Sequence, residues 1–460
     1  MEAQIVNTIE SQNPAVGQIQ MDFLPQMPVV VQPTAGRLTS DAGLLPIRQL
    51  DQRWNYTQRL ANCLTGKVRK QSELSMVRQR VFGILGGYED CNDHDTLRDD
   101  PAFKLIADRL PDGAALASQP TLSRFENQVT PAMLQKLIDF HIATGIQRLK
   151  EHHGGQLPAE ITLDLDATDD ATHGQQQLTL FHGYYGQFQY FPLIISEPVT
   201  KHVFVAWLRH GTAHASLGAD DDLLRVVAAL RKERPDIIIH IRADAGFGLP
   251  RIIDACEQNN LTYTLGFSTN ARLKRLTEGL MQQAVDGYEK SKEKQRLFDS
   301  FDYQCDSWDK PRKVIAKAEC HVAGTNLRFV VTNRPGTACA ADGQREYDHY
   351  IQRGESEHRM DELKNGLKMD RLSCHRFMAN FFRLLLHVAA LNLLNAQRDD
   401  PAMPEVLRHG QPCTWRMMVI KVAAVIVQSA RRVVVKLSGH WPWWTMYQAS
   451  AHRSLRLSTA

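Results

Sequence analysis

Residues 160–167 read Glu-Ile-Thr-Leu-Asp-Leu-Asp-Ala. Period-two alternation over Ile161 to Ala167 predicts a strand with Leu163 and Leu165 on one face and Asp164 and Asp166 on the other. Two carboxylates on a central strand are costly unless solvated, paired or bound to a metal. Working outward, Tyr190 to Glu197 and His202 to Arg209 read as two more strands, joined by a turn at Pro198-Val-Thr-Lys201. Three strands with short links predict an antiparallel meander. Asp221 to Glu233 then reads as a helix and Asp236 to Ala243 as an apolar, buried strand. Past the Gly246-Phe-Gly248 turn, Leu249 to Gln258 reads as a helix and Leu261 to Phe267 as a strand.

A further carboxylate, Asp244, stands where the buried strand ends, and ligand groups in open α/β sheets gather at the carboxyl ends of strands. A helix-capping Asp is the plainer reading of that residue alone. Farther on, Glu346 to Leu367 is rich in Arg, Glu, Lys, Leu and Met without proline, which predicts one helix. On it Tyr350, Arg353, Glu357 and Lys364 are spaced three, four and seven apart. They fall on a stripe roughly 60° wide. Such a stripe makes a poor core but a good grip for a phosphodiester backbone beside a metal-binding carboxylate. Glu346 and Asp361 point near the Glu357 face, whereas Glu355 points away. Asp169, Asp170 and Asp220 to Asp222 read as loop and helix-start charges.

The 460 residues suffice for two to four domains, and 43% hydrophobic with 23% charged residues is ordinary for a soluble globular protein. The net charge of +3 decides nothing about nucleic acid, but its distribution does. Leu407 to Leu457 holds Arg408, Arg416, Lys421, Arg431, Arg432, Lys436, Arg453 and Arg456 with no Asp or Glu, which favours a polyanionic partner. The cysteines are scattered without a Cys-x-x-Cys pair, against a zinc ribbon or a secreted disulfide framework. No signal peptide opens the chain, and the apolar stretch Phe381 to Leu394, interrupted by Arg383 and His387, is too short for a bilayer. A cytoplasmic protein without a membrane partner is expected.

Pro14, Pro25, Pro28 and Pro33 make residues 1–37 an N-terminal arm. Residues 38–155 turn helical, with helices over Leu44 to Leu64 and Leu74 to Leu85. There Ser118 to Asn127 and Pro131 to Gly145 form a pair that is either a helix-turn-helix DNA reader or a packing unit. The core then spans residues 156–267 and 346–398, split by a mostly β insertion at 268–345 with strands at Lys313 to Val322 and Asn326 to Val331. An apolar helix, Phe377 to Leu394, packs back on the sheet. The basic C-terminal region, 399–460, carries a helix at Trp415 to Arg431 and is expected to be mostly helical.

Three hairpin strands followed by alternating helix and strand is the order found in RNase H-like α/β domains. Four motifs resemble those of bacterial insertion-sequence DDE transposases: Leu38-Thr-Ser-Asp-Ala-Gly-Leu-Leu45, Leu163-Asp-Leu-Asp-Ala-Thr168, Ile241-Arg-Ala-Asp-Ala-Gly-Phe247, and Tyr350, Arg353, Glu357 and Lys364 in Tyr-Arg-Glu-Lys spacing. They reach from about residue 38 to 395. The resemblance implies an α/β fold with an RNase H-like catalytic core and a β-rich insertion, preceded by a helical DNA-binding region. By position it makes Asp166, Asp244 and Glu357 the catalytic, metal-binding triad for two Mg²⁺ ions, with Mn²⁺ as substitute. Tyr350, Arg353 and Lys364 would hold the DNA backbone. Ala167 stands where relatives carry a hydroxyl, which keeps Asp164 as the alternative first ligand. The implied activity is cut-and-paste transposition: binding of terminal inverted repeats, strand cleavage, and transfer to target DNA by a dimer on paired ends. The alternatives are a catalytically silent DNA-binding regulator and another RNase H-like nuclease.

Overall fold

A computed structural model describes residues 19–21, 27, 29–31, 36–64, 71–336 and 340–456. Most of the N-terminal arm therefore lies outside the described residues; within it, Ile19–Met21 and Val29–Val31 pair antiparallel.

The architecture is mixed α/β around one eight-stranded sheet. Its strands are β1 (Glu160–Ala167), β2 (Leu193–Ser196), β3 (Val203–Trp207), β4 (Ile238–Ala243), β5 (Thr262–Phe267), β6 (Gln295–Tyr303), β7 (Arg312–His321) and β8 (Gly324–Thr332). Their spatial order is β6-β7-β8-β5-β4-β1-β2-β3. β1, β2 and β3 form the expected antiparallel meander, while β4 runs parallel to both β1 and β5. This large mixed sheet is consistent with an RNase H-like domain.

Parallel neighbours demand crossover helices, supplied here by Ala219–Glu233 and Pro250–Gln258. The first opens with Asp220, Asp221 and Asp222 and ends near Arg231 and Lys232, matching the helix dipole at both ends. The central strands alternate, with an apolar face and a polar face that carries Asp164, His240 and Arg242. Leu163, Leu165, Ile239, Ile241 and Leu265 are all fully buried.

The insertion departs from a separate β subdomain. Its strands extend the main sheet, with β8 pairing antiparallel to β5, and it also contains helices Ala271–Leu276 and Glu278–Ser291. An open edge at β5 would leave backbone donors and acceptors unpaired, and β8 satisfies them.

The opposite edge, β3, is closed by a side chain. Asn392 accepts from Val203 N at 2.9 Å and donates to Val203 O at 3.0 Å. Asn392 belongs to the helix Phe377–Arg398, buried over nearly its whole length. That helix is long and apolar enough to cross a membrane, yet it forms the centre of the fold. Beside it, Glu126 is fully buried between Arg80 (2.7 Å) and Arg383 (2.6 Å). Burial pushes the Glu126 carboxyl up, but the two guanidiniums outweigh it and hold it at about 2.

The helix pair near residue 120 comprises Gln119–Glu126 and Pro131–His152. Pro131 and the Thr130 hydroxyl, which accepts from Met133 N, start the second helix. It packs on β3 and the central helix. A Cβ on Gly145 would sit 2.6 Å from both His202 and Phe204, so glycine is needed for that approach. Both helices thus bury apolar residues in the core.

Two expected helices are corrected. Trp415 to Arg431 is helical only as far as Ile420 and then becomes the strand Ala424–Gln428, paired with Val433–Leu437. The β-branched run around Val425 to Val427 overrides the helical reading. The C-terminal region is thus part β, and Ala424 and Val425 also pair with Thr39 and Leu38. The second correction concerns Glu346 to Leu367. In place of one helix there are Ala340–Ile351, Gly354–Asp361 and a wide turn at Glu362–Gly366. Gly354, a poor helix former, begins the second segment. The break is tight: Arg353 N bonds to Tyr350 O and Ser356 N to Arg353 O.

Candidate active site

β1 and β4 are adjacent and parallel, with Arg242 opposite Asp164 and Ala243 opposite Leu165. One residue farther, Asp244 stands beside Asp166, where parallel strands lie about 4.8 Å apart. Sheet register thus brings together two carboxylates 78 residues apart in sequence.

Asp164 is 1% exposed and held by both oxygens: Arg242 Nε donates at 2.7 Å and Nη2 at 2.9 Å. The remaining guanidinium nitrogen of Arg242 donates to His349 O at 2.8 Å. The Asp164 carboxylate is saturated by this fork.

Asp166 has a different environment. Its Oδ1 accepts from Ala167 N at 2.9 Å and its Oδ2 from Ser356 Oγ at 3.0 Å. Burial raises its pKa, and neighbouring Asp244 adds to the rise against Arg353 and Ser356, bringing it to about 6. Asp244 accepts from Gly246 N at 2.9 Å through Oδ1. The turn carrying it needs a glycine on β5, because a Cβ on Gly266 would lie 2.6 Å from Ala245 N and 2.9 Å from the Tyr350 hydroxyl.

The broken helix contributes the rest. Arg353, in the break, spans the gap between carboxylates: Nη1 lies 3.6 Å from Asp166 Oδ2 and Nη2 donates to Glu357 Oε1 at 2.8 Å. Burial works against its charge, yet Tyr350, Asp166, Glu357 and Asp244 together raise its pKa. Glu357 is 65% exposed in its side chain, at the open rim. Tyr350 is packed beneath, its pKa raised by burial, with Arg353 opposing and Asp244 and Glu357 adding. Lys364 stands apart from that cluster. Its ammonium donates to Asp169 O (2.8 Å), Asp169 Oδ1 (2.9 Å) and Thr168 Oγ1 (3.3 Å), fixing the chain just beyond β1.

Sequence reading missed several participants. Ser356 reaches Asp166 just past the helix break, which Gly354 alone foreshadows in the sequence. Arg242 was visible in its motif, but its pairing with Asp164 depends on register. Asp169, read as a loop charge, is the partner of Lys364. Glu346 points away from Glu357 and into a cluster beneath the same helix, close to His240. Glu355 pairs with Arg359 at 3.3 Å.

Asp166, Asp244 and Glu357 offer only carboxylate oxygens, around a guanidinium and open to solvent through Glu357. A family model described as transposase DDE domain group 1 matches residues 22–459. The chain belongs to the DDE transposase family. No curated protein matches it. DDE transposase domains use divalent metal ions, and the donors in this transposase fit that requirement. All three are hard oxygen ligands, and the charge of Asp244 adds to burial in raising the Asp166 pKa.

Proposed function

We propose that this transposase moves an insertion sequence by cut-and-paste: it binds terminal inverted repeats, cleaves a strand at each end and joins the freed 3′-hydroxyl to target DNA. Asp166, Asp244 and Glu357 hold two Mg²⁺ ions in this reading, with Mn²⁺ able to substitute. The observation that carries it is the juxtaposition of Asp166 and Asp244 at the ends of adjacent parallel strands, with Arg353 bridging to Glu357. Bound there, a divalent pair would supply activation of the attacking oxygen and charge stabilisation at the leaving oxygen of an in-line displacement. Asp164, saturated by Arg242, is left out of the ligand set and serves to orient the strand.

Arg353 neutralises the carboxylates before substrate arrives and then exchanges them for the DNA phosphate, a match suited to a guanidinium. Tyr350 supports it from below, and Lys364, anchored on the Asp169 loop, holds the backbone beside the cleavage point. The exposed Arg431, Arg432 and Lys436 of the C-terminal hairpin are suited to further phosphate contacts. Two ends need two active sites, so the working form is a dimer on paired DNA. The experiment is incubation of a labelled repeat end with the protein and Mg²⁺ or Mn²⁺. Metal-dependent nicking supports the reading; end binding without nicking in either metal identifies a silent regulator instead.

A further inference from the structure

A second ligand cluster lies under the helix Ala340–Ile351, away from Asp166 and Asp244. His240 comes from β4, while Glu346 and His349 share one face of the helix three residues apart. One ligand atom from each lies within 4.8 Å of the others. His240 is fully buried, and its Nε2 has no hydrogen-bond partner. The opposite ring nitrogen explains which way this ring is set. His240 Nδ1 and Thr262 Oγ1 share a hydrogen bond of 2.9 Å. That leaves Nε2 facing Glu346 Oε1 at 3.9 Å, too far for a hydrogen bond. Glu346 Oε1 already accepts from Thr264 Oγ1, but the buried Nε2 is left without a partner, and a metal ion between it and the carboxylate would supply one. The second-sphere bond at Nδ1 is also the arrangement that orients a metal-ligating histidine.

We propose that His240, Glu346 and His349 bind one transition-metal dication of the zinc class, independently of the acidic cluster. Two imidazoles and a carboxylate suit zinc better than magnesium. Ligands sharing a tetrahedral zinc lie about 3.4 Å apart, so ligand atoms up to 4.8 Å apart have to draw in by up to about 1.4 Å, helped by the flexible Glu346 side chain. Arg334 guards the entry. Its Nη1 is 3.1 Å from His349 Nδ1 and 3.6 Å from Glu346 Oε2, while Nη2 is held by Glu160 at 2.8 Å. Its charge reaches Glu346 and His349 but leaves His240 Nε2 unpaired. Metal entry displaces the Nη1 arm and leaves the Glu160 pair intact. The bound ion clamps the helix carrying Tyr350 to β4, four residues along that strand from Asp244, and so steadies the segment leading to Arg353.

The test uses the full-length, chelator-treated protein with excess Mg²⁺ and no DNA. Titration with Co²⁺, followed by visible absorption, is expected to give ligand-field bands saturating at one equivalent, displaced by Zn²⁺. His349→Ala, at a half-buried position, weakens uptake by more than about tenfold, Arg334→Met strengthens it, and Asp166→Asn leaves it unchanged. Absence of bands in the wild type overturns the proposal. So does uptake that survives His349→Ala, or uptake lost in Asp166→Asn, which would place the ion in the acidic cluster. None of these readouts depends on DNA cleavage, so the transposase reading stands or falls separately.

Discussion

Replacing Asp166 with asparagine should stabilise the metal-free protein while abolishing its cleavage activity. Asp166 titrates at about 6 in the fold against an ordinary 3.8, because burial and the Asp244 charge outweigh Arg353 and Ser356. For an acid whose folded pKa is raised, the ionised form is the one the fold disfavours. The cost is therefore absent below pH 4, grows as pH rises and is complete above about pH 6. The difference of about two units corresponds to about 3 kcal/mol. Asparagine removes that cost and can still accept from Ser356, but it gives up the attraction of Arg353, so the net gain is about 1–3 kcal/mol. The assay is thermal unfolding in chelator from pH 5 to 8 for wild type and Asp166→Asn. Asp222, also raised to about 6, titrates equally in both proteins and cancels in the difference. The stability gap between variant and wild type should open between about pH 4 and 6, so that it is already partly present at pH 5 and level above pH 6 to 7, and Mg²⁺ should narrow it by stabilising wild type alone. A variant less stable than wild type at pH 7.5, or a gap independent of pH, refutes the reasoning.

Glu357→Gln and Asp244→Asn should each abolish nicking of a labelled repeat end while retaining end binding in a gel-shift assay; normal nicking by either removes that residue from the triad. Arg353→Ala should weaken DNA binding and lower the slope of log K against log salt by about one, checked by fluorescence anisotropy at several salt concentrations. Arg242→Leu strands the buried Asp164 charge and should cost about 3–5 kcal/mol, read by calorimetric unfolding, with much of the loss recovered in the Asp164→Leu, Arg242→Leu double variant. Glu126, held at about 2 by Arg383 and Arg80, contributes stability that is complete above about pH 4.5 and lost as pH falls toward 2. Glu126→Gln should flatten that acid limb in a pH series of unfolding temperatures.

The order of strands and helices from Glu160 to Phe267 was legible because each element has one dominant period and clear punctuation. Leu163 and Leu165 alternate against aspartates, and Gly246 and Gly248 bracket the turn after Ala243. Asp244 beside Asp166 follows from that order once β4 is placed next to β1. Register was the hidden quantity. Nothing local distinguishes Asp164 from Asp166, yet Arg242 lies opposite one and Ser356 reaches the other. The helical stripe from Tyr350 to Lys364 assumed a continuous helix, but the chain breaks at Arg353, just before the poor helix former Gly354. The break turns Arg353 toward Asp166 and leaves Lys364 on the Asp169 loop. In the C-terminal region, Ala424 and Val425 find strand partners at Leu38 and Thr39, nearly 400 residues earlier. No window along the chain contains that pairing.

Mn²⁺ binding to the protein on a cleaved repeat end, followed by electron paramagnetic resonance in wild type, Asp166→Asn, Asp244→Asn and Glu357→Gln, addresses the metal site itself. A spin-coupled Mn²⁺ pair is expected in the wild type, with that coupling lost in every variant. An unchanged coupled signal in any of the three, or a wild type that binds no Mn²⁺ beside DNA, contradicts it.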